Sequence, residues 1–390
     1  MPSWRLAAFY AAYFASLGAL LPFWALYLSH LGFTPPQIGQ VIAVQMLTKI
    51  LAPNLWAWIA DRRQQHLAMV RMGSLLAALS FSLVFVVQSF VPMLMVVTLF
   101  SFFWNAVLPQ FETITMNQLG DKGHRYSQIR LWGSAGFVLM ALMLGVLVDR
   151  YHISILPNVL FLLFCAIYVA SLMVARPKRI PLSHSHTSIG PILRRPEVIA
   201  FLLVNLLIQM AHGPYYTFYT IYLESTGYRG DLIGVLWSLG VIAEIVIFLL
   251  MPRWMLKWGI RRILLWSLWL SAVRWLLIGF GVQSLPLLLG AQILHAVSFG
   301  TCHAVAISFI HHYFVGPTQS RGQALYSSMG FGLGGVAGAL YSGYAWERLG
   351  ASETFFIAAI AVLLALAITW KYIFVNTDRS YIPTVYPPSQ

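Results

Sequence analysis

The chain has 390 residues, 59% of them hydrophobic and only 9% charged, with a mean hydropathy of +0.76. Soluble domains carry roughly 25% charged residues, so this composition excludes a water-soluble globular protein and points to a polytopic, all-α membrane protein. The formal charge of +13 would suit nucleic acid, but the placement of the cations excludes that partner, as follows.

An apolar segment of about 20 residues crosses a hydrocarbon core of roughly 30 Å. Twelve such spans are predicted in chain order, at 5–29, 37–60, 67–88, 91–117, 127–149, 153–175, 197–222, 232–252, 263–281, 285–313, 321–345 and 353–375. The first is too long for a signal-peptide core and lacks a small-residue cleavage site, so it reads as a retained helix. Eighteen of the 24 Lys and Arg residues fall at the termini and in alternate loops on one side; Arg150, Arg229 and Arg348 lie on the other. The positive-inside rule then places both termini in the cytoplasm and makes the lipid bilayer the charge-sorting partner. Cys165 and Cys302 lie inside spans, so no disulfide framework is implied.

The longest polar segment, "RPKRIPLSHSHTSIGPILRRPE", follows the sixth span and is rich in Pro, Ser, His and basic residues. It divides the chain into a six-helix bundle (1–175), a cytoplasmic linker (176–196), a second six-helix bundle (197–376) and a tail (377–390). Each half carries a basic turn after its second span, "ADRRQQH" at 60–66 and "PRWMLKWGIRR" at 252–262, the second without the acid. Two such halves are the layout of major facilitator transporters, in which substrate lies near mid-bilayer. The Asp61–Arg62 turn is read as a gating loop. Gly330, Gly334 and Gly338 of the eleventh span form a small-residue stripe that permits close backbone approach.

Five strongly ionisable residues lie within spans: Lys49, Glu112, Arg130, Glu244 and Arg274. Each costs at least about 2.5–3.5 kcal/mol on insertion scales and normally faces a cavity or a partner. At 1.5 Å per residue, Lys49, Glu244 and Arg274 lie roughly 16–18 Å from a membrane face, near the midplane. Glu112 and Arg130 sit on consecutive spans at matched depth, so an ion pair between them is geometrically available. His212, Tyr215, Tyr216 and Tyr219 follow i, i+3, i+4, i+7 spacing and should share one helix face. His295, Phe299 and Cys302 do the same in the tenth span, with His303 nearby. With neutral histidines, the three cations and two carboxylates leave one positive charge, which a monoanionic substrate would balance. No metal cluster, nucleotide motif or catalytic constellation accompanies these residues. That disfavours an integral-membrane enzyme and an ATP-driven pump, and the absence of a repeated pore motif disfavours a channel.

"NAVLPQFE" (105–112), with Arg130 eighteen residues after Glu112 in "RLWGSAGF", resembles the sugar-binding region of the lactose permease family. "SAVRW" (271–275) and "ILH" (293–295) resemble that family's ninth-helix arginine and tenth-helix histidine segments. Ser298 stands where that family has a proton-carrying glutamate, and Phe137 where it has a stacking tryptophan, which argues against lactose.

"AHGPYYTFYTIYLESTGY" (211–228), "GVLWSLGVIAEIVIF" (234–248), "VRWLLIG" (273–279) and "QILHAVSFGTCHA" (292–304) are similar to signature segments of the phenylpropionate permease group of bacterial major facilitator transporters. That resemblance implies proton-coupled import of an aromatic carboxylate such as 3-phenylpropionate across the bacterial inner membrane. The expected substrate contacts are Glu112, Arg130, Phe137, Lys49, Arg274, Tyr215, Tyr216 and Trp237. Desolvation at mid-membrane favours the protonated form of a carboxyl group, so with Ser298 lacking one, Glu244 is the expected proton carrier, assisted by His295 and His212. The coupling ion is H⁺, no cofactor is expected, and a monomer suffices. A sugar or nucleoside symporter of the same superfamily is the alternative.

Overall fold

Hydrocarbon offers the backbone no hydrogen-bond partners, so each apolar segment must satisfy its own N–H and C=O groups as a helix. A computed structural model describes residues 3–63, 65–175 and 188–373. Residues 176–187 of the expected linker (176–196) and the expected tail lie outside the described residues; within the rest of the linker, Gly190–Leu193 form one helical turn.

The helices are α1 (Ser3–His30), α2 (Pro35–Arg63), α3 (His66–Phe81, extended by a 3₁₀ turn to Phe85), α4 (Phe90–Leu119), α5 (Tyr126–Tyr151) and α6 (Leu156–Leu172). They continue as α7 (Pro196–Ser225), α8 (Gly230–Trp258), α9 (Ile260–Gly281), α10 (Leu285–Tyr313) and α12 (Ala351–Tyr372). Between α10 and α12, α11 runs as Gln319–Ser327, a π-helical Ser328–Gly334, and Gly335–Arg348. Among the described residues eleven helices are long and apolar enough to span a membrane. The twelfth expected span is α11, whose glycines and serines lower its hydropathy.

Three helices depart from a regular α-helix. α7 is interrupted at His212, because Pro214 has no N–H to continue the ladder. α10 contains a π turn at Ala296–Thr301, and α11 the π segment named above; such bulges occur often at functional sites.

The chain forms two compact units. The first comprises Met1–Ser183, Pro214–Ser238 and Ala339–Arg348. Its aromatic core includes Phe9 stacked on Phe111 at 3.6 Å and Tyr13 stacked on Trp104 at 5.2 Å. Glycines bring backbones together here: a Cβ on Gly39 of α2 would lie 2.6 Å from the Ala339 carbonyl of α11. Asp149 at the end of α5 caps the start of α8, accepting the Gly230 and Asp231 N–H groups at 2.7 and 2.8 Å. Those amides otherwise lack intrahelical partners.

The second unit comprises His184–Gly213, Leu239–Gly338 and Leu349–Gln390. The glycine stripe of α11 lies against α7: Cβ atoms on Gly334 and Gly338 would fall 2.6 and 2.7 Å from the Leu206 and Met210 carbonyls.

Candidate functional site

The predicted site residues divide between polar clusters, each within one unit. In the first unit, Tyr126 donates its hydroxyl to Glu112 Oε1 at 3.4 Å. Arg130, one turn into α5, lies with its guanidinium carbon 3.7 Å from the centre of the Phe14 ring and 5.7 Å from that of Tyr10. Glu112 and Arg130 make no contact-distance salt bridge: Tyr126 donates to the carboxylate and the guanidinium lies over Phe14, while the two charges still act on one another. Gly133 makes this arrangement fit, since a Cβ there would sit 2.8 Å from Arg130 Nη1 and 2.9 Å from Phe14 Cδ2. Arg130 makes no hydrogen bond to any described residue, and its planar fork of donors lies over the Phe14 and Tyr10 rings with Glu112 within electrostatic reach.

Phe137, two turns further along α5, is buried, with its backbone pressed against Gly18 of α1. Lys49 is half-buried on α2, one residue beyond a hydrogen-bonded set in which Asn105 donates to Thr48 Oγ1 at 2.8 Å and Thr48 donates to Ser101 at 3.0 Å. Arg62 is exposed and stacks over Trp58 at 4.2 Å. The side chain of Asp61 lies outside the described residues.

Tyr215, Tyr219 and Trp237 are buried and packed on one another, with Tyr215 4.6 Å from Trp237 and 4.9 Å from Tyr219. Trp237 donates its indole N–H to Thr220 Oγ1 at 3.0 Å. Tyr216 is partly exposed at the edge of this cluster, 5.4 Å from Tyr215. The break at Gly213–Pro214 ends the first segment of α7, and His212, its C-cap, belongs to the second unit.

In that unit Arg274 of α9 is completely buried. It donates through Nε to the Ala291 carbonyl at 3.0 Å and through Nη1 to Ser298 Oγ at 3.1 Å, and lies 4.3 Å from the Trp275 ring. Ser298 in turn donates to the His295 carbonyl at 3.1 Å. His212 donates Nδ1–H to the Ile208 carbonyl at 2.8 Å, with its ring edge-on to Trp275 at 4.9 Å and 6.2 Å from His295.

Helix α8 faces α10 in a regular register. Gly240 lies against His295 and Gln292, where a Cβ would be 3.1 Å from His295 Cδ2. One turn on, Glu244 rests on the π turn, with a Cβ on Gly300 falling 3.2 Å from Glu244 Cγ. The structure thus gathers Arg274, His212, His295 and Glu244 around α10.

Sequence reasoning missed Ser298 as the partner of Arg274, Tyr126 as that of Glu112, and Phe14 as the platform for Arg130. Only the spacing of Gly133 three residues after Arg130 hinted at the last. Ser298 had registered only as a missing carboxylate.

A bundle of membrane-spanning helices that buries an arginine and two histidines, with partly buried carboxylates on neighbouring helices, is the architecture of a secondary transporter. The chain belongs to the MFS_1-like family, whose model matches residues 3–357. It is 30% identical over 376 residues to a protein named as a probable 3-phenylpropionic acid transporter of Escherichia coli (strain K12), covering 94% of this chain and 97% of that protein. It is 27% identical to a maltose permease of Geobacillus stearothermophilus, covering 92% and 93%. Crystal structures of the nucleoside transporter NupG share the fold at TM-scores of 0.84 and 0.81, with 16% and 19% identity, each covering 95% of this chain and 98% and 100% of theirs. The protein is a multi-pass major facilitator transporter and not an enzyme.

Proposed function

We propose that this transporter imports a small aromatic carboxylate, such as 3-phenylpropionate, together with H⁺ across the bacterial inner membrane, by alternating access and as a monomer. The observation that carries the reading is Arg130. Its guanidinium is stacked on Phe14 beside Tyr10 and is not salt-bridged to Glu112. A cation framed by aromatic rings suits a ligand with a carboxylate at one end and a ring at the other. Charge-assisted, two-pronged hydrogen bonds take the carboxylate, and ring contacts add about 0.5–1.5 kcal/mol per pair beyond area burial. The relative of E. coli supports the same substrate class.

Glu244 is the proposed proton carrier. It lies midway along α8, half-buried, while Ser298 supplies only a neutral acceptor to Arg274. His295, His212 and Arg274 are proposed to set its surroundings, Tyr216 and Lys49 to contact substrate, and Phe137, Tyr215 and Trp237 to shape the space around it. Asp61 and Arg62, which lie in the last turn of α2 and not in the expected loop, are proposed to gate the cytoplasmic side.

A sugar or nucleoside symporter is the second reading. The maltose permease relative favours it, as does the Glu112–Tyr126 pair, which offers hydroxyl-matching groups.

Competition at the protein in membrane vesicles separates the two. Binding of 3-phenylpropionate competed by cinnamate, and hardly by the uncharged amide or a disaccharide, supports the first. Strong competition by maltose or a nucleoside supports the second.

A further inference from the structure

On the basic side of the second unit, residues 253–273 contain four Lys and Arg residues and no Asp or Glu. Helix α9 starts in this segment. Its Arg262, Leu265, Trp266 and Trp269 follow i, i+3, i+4, i+7 spacing and so occupy one face. That face is turned outward: Trp266 is 66% exposed and Trp269 47% exposed, while Ile263, Leu264, Ser267 and Leu268 are buried. The two indoles stand edge to face at 5.8 Å and 87°. Together with Arg262 and Leu265 they line a groove of about 470 Å³.

The neighbouring cation is already engaged. Arg261 donates through Nη2 to the Trp370 carbonyl at 2.8 Å, tying the start of α9 to the end of α12. Arg262 is exposed at the mouth of the groove and makes no hydrogen bond or ion pair with a described residue. Trp266 and Trp269 lie roughly 6 and 10 Å deeper along the helix axis. This places a cation at headgroup level and two large apolar planes beside the upper acyl chain.

We propose that this groove is a binding site for an anionic phospholipid of the leaflet on the chain's basic side. The phosphate would accept from the Arg262 guanidinium, and one acyl chain would lie along Leu265, Trp266 and Trp269. Charge selects the headgroup: with no carboxylate in 253–273, the amine of a zwitterionic lipid gains nothing, while a net negative headgroup gains from every nearby cation. Interfacial arginines and tryptophans also anchor helices without lipid selectivity, and the experiment must separate these roles.

The test is native mass spectrometry of the full chain titrated with phosphatidylglycerol or phosphatidylethanolamine. The unsubstituted protein should retain phosphatidylglycerol preferentially. Arg262→Gln should weaken that retention about fivefold, the worth of one cation at the surface, and remove the preference. Trp266→Leu should weaken retention of both lipids. Arg63→Gln, at an exposed cation of the first unit, should change neither. Equal retention of the two lipids by the unsubstituted protein would overturn the proposal, as would equal effects of Arg262→Gln and Arg63→Gln.

Discussion

Arg274 and Ser298 are joined by an Nη1–H···Oγ hydrogen bond of 3.1 Å, deep in the second unit and between two helices. The serine in turn donates a hydrogen bond to the His295 carbonyl, so a short chain of donors runs from α9 into the π turn of α10. A buried guanidinium is stable only where its donors find acceptors.

Replacing Ser298 with Ala removes one of those acceptors. A loss of about 1–3 kcal/mol in stability is expected for a charged donor left unsatisfied. Thermal unfolding of the purified protein measures it; an unchanged transition would show that the hydroxyl is dispensable to Arg274.

Much of this arrangement was legible in the sequence. The spans follow from hydropathy, because lipid leaves the backbone no alternative to helix, but most of both expected basic turns is helical, since α2 continues to Arg63 and α8 to Trp258. The partners of the mid-membrane charges were not legible. Arg130 and Glu112 act on one another, yet Tyr126 donates to the carboxylate and Phe14 lies under the guanidinium, an arrangement that needs Gly133 to be small. The interruption of α7 at His212 was legible as Gly213–Pro214, where the helix ladder loses an N–H. The π turn under Glu244 was not anticipated from the sequence.

Arg130→Lys keeps the charge and loses the planar fork. Lysine also forfeits the flat stacking over Phe14. Substrate affinity should fall about 10- to 100-fold, matching the loss of one charge-assisted hydrogen bond of about 1.5–3 kcal/mol, with insertion and folding retained. Equilibrium binding of labelled 3-phenylpropionate reads this out, and normal affinity would reduce Arg130 to a packing role.

Asp149→Ala removes the carboxylate that accepts from the Gly230 and Asp231 amides. Loss of an N-cap costs about 0.5–2 kcal/mol. Hydrogen exchange at the first turn of α8 should quicken by roughly 2- to 30-fold, without a comparable change at the start of α9. Unaltered exchange there would mean that Arg229 and Asp231, paired at 3.1 Å, hold this end unaided.

Glu244 carries the central claim. In proteoliposomes containing the purified protein, an imposed inward H⁺ gradient should drive accumulation of labelled 3-phenylpropionate above the external concentration. Glu244→Gln should bring that accumulation down to equilibrium while leaving substrate exchange across the membrane measurable. Accumulation by the Gln variant equal to that of the unsubstituted protein would contradict the account.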